Sequence, residues 1–181
     1  MRLYYTVISK EGDPQQKPTL SLGGFCSSSP VPNESFDNLF SEITEYTIQN
    51  NVPQYIGLIL KNTFDQEADQ VKLWMEKDPN DYGKFRVGVV KLTSNGQMEN
   101  IVSPSSKPVY SEFYDVTGEE EAISIPNMKP GEMYGIWVER TLNADSEYLQ
   151  KRTQCDFLYE HLKDKLPTEE VVKMCIDFEL I

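Results

Sequence analysis

Hydrophobic positions along the chain follow two periods, one of about two residues and one of about four. Residues 1–8, MRLYYTVI, form a short apolar run with one basic residue, which predicts a strand and is too brief for a secretory leader or a membrane span. From Gln54 onward, apolar runs broken by turn residues recur at fairly even spacing, as in an antiparallel sandwich or barrel, with no βαβ alternation. Residues 55–61, YIGLILK, read as a buried strand. In 71–76, VKLWME, the side chains of Val71, Leu73 and Met75 share one face. Residues 85–92 and 97–101 flank Thr93-Ser94-Asn95-Gly96, where Asn-Gly predicts a type I′ hairpin turn. Further strands are expected at 109–114 and 122–125, and a long one follows Pro130-Gly131 at 133–141.

Helical spacing appears in two places. Phe36, Leu39, Phe40 and Ile43 fall at i, i+3, i+4 and i+7 behind the possible caps Asn33 and Ser35, which predicts a short helix over 35–43. Residues 145–165 lack Gly and Pro and carry Leu149, Leu158 and Leu162, with Leu166 continuing the stripe. Pro167-Thr168-Glu169-Glu170 then reads as a second helix start. The expected fold is therefore mainly β: an antiparallel β-sandwich with a short N-terminal helix and a C-terminal α-helical hairpin. Its expected divisions are a sandwich domain over 1–142, including an arm at 18–33, and a helical extension over 143–181.

Composition narrows the chemistry. A formal net charge of −12 argues against binding a phosphate backbone, which works through Lys and Arg, and fits a soluble surface or a basic protein partner. Cys26, Cys155 and Cys175 are odd in number and widely spaced, with no CxxC pair, as in a reducing setting. Neither a membrane nor a cofactor is expected. Asp65, Glu67, Asp69 and Glu76 superficially imitate a calcium loop, but Gln70 stands where the sharp turn needs Gly. The triad Glu119-Glu120-Glu121 reads as a solvated turn. His161, the single histidine, rules out multi-histidine metal sites and reads as a packing or interface residue beside Leu162. Nothing recognisable orients a Cys26–His161 nucleophile pair, so no enzyme is expected.

The stretch SLGGFCSSSP at 21–30 lacks the Gly-Lys-Ser/Thr of a phosphate loop and the βαβ unit of a dinucleotide site. It reads as an extended arm hinged at Gly23 and Gly24, with Leu22 and Phe25 as apolar anchors on a neighbouring subunit. Deleting 21–29 is then expected to spare folding and impair assembly. Trp74 and Trp137 add aromatic surface for the core or for interfaces.

Taken together, SLGGFCSSSPVPNESFDNLFSEIT, YIGLILKNTFDQEADQVKLWME, NGQMENI, KPVYSEFY and IPNMKPGEMYGIWVERTL resemble small virion structural proteins of tailed bacteriophages, notably podovirus-like and crAss-like phages. The resemblance spans roughly residues 3–142 and rests on structural motifs. It implies a homo-oligomer that forms a multi-copy ring or layer at the head-to-tail (neck or tail) interface. Portal, neck, tail or capsid components would be its partners. The protein would reside in the virion and, during assembly, in the host bacterial cytoplasm. On this reading the interface candidates are Leu22, Gly23, Gly24, Phe25, Phe36, Trp137 and His161. The alternatives are a capsid decoration or head-fibre protein, or a carbohydrate- or receptor-binding sandwich on the virion surface. An exposed Trp74 or Trp137 would favour sugar binding.

Overall fold

A computed structural model describes residues 1–33, 39–40, 50–77, 83–142 and 172–181. Its strands are β1 (Arg2–Val7), β2 (Phe25–Pro30), β3 (Gln54–Lys61), β4 (Ala68–Lys77), β5 (Gly83–Lys91), β6 (Ile123–Ser124), β7 (Met133–Leu142) and β8 (Val172–Leu180). They form two antiparallel sheets, one of five strands in the order β2-β1-β3-β7-β5 and one of three in the order β6-β4-β8. Side-chain alternation explains why the sheets face each other. Ile56, Leu58 and Leu60 of β3 and Ile136 and Val138 of β7 meet Val71, Leu73 and Met75 of β4 in one core.

The opposite face of the large sheet is covered as well. Tyr55, Ile59 and Trp137 point there and pack with Cys26 of β2 and with Leu22, Met98 and Ile101 from two loops. Burial on both faces accounts for the near-continuous apolar run of β3, which lacks the clean alternation of β4.

The C-terminal helical hairpin is not what the chain forms where it is described. Residues 172–180 are strand β8, paired to β4 from Ala68↔Leu180 to Lys77↔Val172. The sequence VKMCIDFEL alternates apolar and other residues, and Met174, Ile176 and Phe178 pack on the core between the sheets. A helix would have scattered those three side chains around its circumference, whereas a strand keeps them on one face. Strand β8 joins the three-stranded sheet of the sandwich. The expected stripe over 145–165 and the helix start at 167–170 lie outside the described residues. So do Phe36 and Ile43 of the expected 35–43 helix. Its Leu39 and Phe40 pack half-buried against the core, with the Phe40 ring edge-on to Phe85 and the Arg140 guanidinium 4.7 Å above it. Among the described residues the helical pieces are two 3-10 turns, Pro18–Leu20 and Glu119–Glu121.

Turn chemistry matches the sequence in one place and modifies it in another. Pro130-Gly131 makes a type II turn, with Gly131 at φ +78° and the Glu132 N–H donating to the Lys129 carbonyl at 2.9 Å. After β5, Gly96 alone takes a positive φ, +74°. The Gly96 N–H donates to Thr93 O and the Thr93 N–H to Gln97 O. This is a three-residue loop ending in a left-handed glycine, not a type I′ turn. Residues 97–101 and 109–114 form no strands; they contribute the single bridges Gly24↔Met98 and Val87↔Tyr114.

Candidate interaction surface

Residues 21–24 are built into the interior. The Thr6 N–H donates to Ser21 Oγ at 2.7 Å, the Ser21 hydroxyl donates to the Gly57 carbonyl at 2.6 Å, and the Gly23 N–H donates to Thr6 Oγ1 at 3.0 Å. Thr6 and Ser21 are fully buried, so the network supplies the partners that buried polar groups require. Gly57 in β3 lets the segment lie flat on the sheet, since a Cβ there would come within 3.0 Å of the Gly23 nitrogen. Gly23 and Gly24 adopt φ +93° and +96°. A Cβ on Gly23 would stand 1.8 Å from the Glu99 carbonyl oxygen, and one on Gly24 2.5 Å from that of Val7. The glycines therefore serve close backbone approach, not a hinge.

The expected interface residues accordingly divide. Leu22, Gly23 and Gly24 are buried within their own chain, and Phe25 is half-buried at the start of β2. Trp137 is fully buried, in register with Gly57 on one side and Gly88 on the other. Phe36 and His161 lie outside the described residues. Burial removes Leu22 and Trp137 from any surface a partner could reach, and residues 18–33 are not a free arm.

What the molecule displays is the 102–114 loop, of which the sequence offered only 109–114 as a strand. Val102 is 93% exposed, Val109 76%, Tyr110 85% and Tyr114 51%. Their backbone is nevertheless tied down at several points. The Ile101 N–H donates to Leu22 O, the Tyr55 N–H to Pro104 O, and Tyr114 exchanges two hydrogen bonds with Val87. The Glu99 carboxylate accepts the N–H groups of Val109 and Tyr110 at 2.9 and 3.1 Å. Phe113 fastens the underside, its ring 5.6 Å from that of Tyr55. The Tyr114 hydroxyl donates to Glu112 at 2.6 Å, a bond that raises its pKa. Residues that would bury apolar area readily are thus held in place at the surface, which lowers the ordering cost of binding. The sequence signal was Glu99 ahead of the Pro-rich 102–110 stretch, but a carboxylate's backbone partners cannot be read from spacing.

Beneath this loop, Arg86 and Tyr55 flank Glu139 in register across three strands. The Arg86 guanidinium donates to both Glu139 carboxylate oxygens at 2.7 Å, and Glu139 is 3% exposed. That hydrogen bond raises the pKa of Arg86. Burial, reinforced by the charge of Glu139, pushes the Tyr55 phenol up to about 12. The ion pair keeps a buried carboxylate satisfied, and its place inside the sheet gives it a structural role.

Other chemical candidates are dispersed. Burial pushes the Cys26 thiol up to about 11 and leaves it protonated, its S–H directed at the Ser27 carbonyl. A protonated, buried thiol is a poor nucleophile. Among the described residues no group of three or more His, Cys, Asp or Glu side chains could hold a metal ion. Asp69 instead accepts the backbone N–H of Gln70, whose φ is +51°, at the entry to β4. Among the described residues no helix is long and apolar enough to cross a membrane. No protein-family model, no curated protein and no solved structure matches this chain.

Proposed function

We propose that this protein is a structural component of a tailed-phage virion that assembles in multiple copies as a ring or layer at the head-to-tail interface. The observation carrying the assembly reading is the fastened loop that exposes Val102, Val109 and Tyr110. Its placement in a virion rests on the sequence resemblance. A repeated assembly needs a rigid patch that contacts a neighbour identically in each copy, and this loop has that character. The net charge of −12 favours a basic docking partner. The contact surface on this reading is the 102–114 loop, in place of the 18–33 segment.

Trp137 is buried and Trp74 half-buried, so neither offers the open aromatic face that sugar stacking needs. Among the described residues, Tyr110 is the most exposed aromatic side chain and keeps receptor binding as a second reading. Co-expression with portal, neck and capsid proteins, followed by native mass spectrometry and electron microscopy, tests the proposal. The unmodified chain should join rings or layers. The double substitution Val109→Ser/Tyr110→Ser should leave its melting temperature within a few degrees while reducing incorporation at least about tenfold, as expected for anchor residues at an interface centre. A chain that stays apart from every virion component, yet binds glycans through Tyr110, would sink the assembly reading.

A further inference from the structure

Among the described residues, three of the four sheet edges are blunted. Along β2, Gly12 N–H donates to the Cys26 carbonyl and Ser28 N–H to that of Asp13, so residues 12–13 cover this edge. Along β5, Val87 and Tyr114 exchange both hydrogen bonds. β6 is two residues long. The fourth edge belongs to β8, nine residues that pair with β4 on one side and, among the described residues, with no backbone on the other. An unpaired strand of that length, about 30 Å, is a template for another strand.

We infer that the β8 edge pairs antiparallel with β8 of a second copy, fusing two three-stranded sheets into one of six about a two-fold axis through Ile176. The sequence of β8 is complementary to itself in this register. Lys173 stands opposite Glu179 of the second copy, and Glu179 opposite its Lys173. Cys175 faces Asp177, Met174 faces Phe178, and Ile176 faces Ile176. Both Lys–Glu pairs lie on the face turned away from the core, where Lys173 is exposed and holds Glu76 at 3.0 Å and where Gln70 donates to Glu179. The Met174, Ile176 and Phe178 side chains, half-buried in the single copy, extend each core across the seam. A shift of two residues toward the strand's end would oppose Asp177 to Asp177, and cross-strand like charges disfavour it. Such a pair is isologous and closed. It does not depend on the virion reading, whose ring contacts would run through the 102–114 loop.

The test is the assembly state of the purified full-length chain, by sedimentation velocity across a concentration series. The unmodified protein should dimerise. Glu179→Lys should weaken dimerisation roughly tenfold, by turning two attractive cross-strand pairs into repulsive ones. The double swap Lys173→Glu/Glu179→Lys should restore it, with far-UV circular dichroism unchanged throughout. A monomer at about 100 μM, an unaffected Glu179→Lys dimer, or a double swap without recovery would each overturn the pairing. Should a variant lose its fold, amide exchange of the unmodified chain decides. Exchange in β8 must quicken on dilution, and exchange independent of concentration rejects the interface. A chain that dimerises but joins no virion component leaves this pairing standing and rejects only the proposed function; the reverse outcome rejects only the pairing.

Discussion

Asn62, directly after β3, ties together three parts of the chain. Its amide donates to the carbonyls of Gln66 and Met128 at 2.8 Å each, and its side-chain oxygen accepts the Phe64 N–H. Its backbone meanwhile bonds Glu132 and Gly131. At 1% exposure no water can replace these partners. Asn62→Ala is therefore expected to cost about 2–3 kcal/mol, through the loss of three hydrogen bonds, in urea-denaturation midpoints. Asn62→Asp should cost at least as much, since a carboxylate has no N–H to give Gln66 and Met128. In sequence, Asn62 stood in plain view at the end of the 55–61 strand, but the purpose of its amide did not. The partners of an amide lie up to 66 positions away, and only the fold brings Met128 to it.

Among the elements, β1, β3, β4, β5 and β7 were legible because each carries its own periodicity or apolar run. β8 carried the same signal, but the acids and proline just before it argued locally for a helix start. Pairing with β4 overrides such a preference, because the alternate side chains then reach a core. The 21–30 stretch failed for a different reason. Glycine-rich, hydroxyl-rich sequence reads as solvated and mobile, and the buried acceptors that draw it inward, Gly57 O and Thr6 Oγ1, come from other strands. Deleting 21–29 should consequently abolish cooperative unfolding instead of sparing the fold. It removes Leu22 and Cys26 from one core and most of β2 from the sheet. A deletion variant with a sharp, near-native melt would restore the idea of a detachable arm.

Across the whole molecule, buried acids of raised pKa make the fold sensitive to alkali, and among the described residues Cys26 and Tyr55 carry the largest shifts. Cys26 goes from an ordinary 9.0 to about 11 and Tyr55 from 10.0 to about 12. Both are neutral when protonated, and the folded state holds the proton more tightly than the unfolded one. Their contribution is therefore complete below about pH 9 and declines as pH climbs through 11 and 12. Melting temperature should fall steadily above pH 9. Cys26→Ala should flatten the lower part of that fall and Tyr55→Phe the upper part. For the same reason the Cys26 thiol should resist labelling at pH 8 until denaturant is added.

By itself the sequence determined the β character, the five best-patterned strands, the Pro130-Gly131 turn and the acidic surface. These depend on neighbours within a few positions or on simple sums. The tertiary structure alone decided that the LGG segment is interior, that Trp137 is shut between two glycines, that 172–180 completes the second sheet, and that 102–114 is the displayed loop. Each of those outcomes turns on which distant strand supplies a hydrogen-bond partner or an apolar face, and local pattern carries no record of that choice.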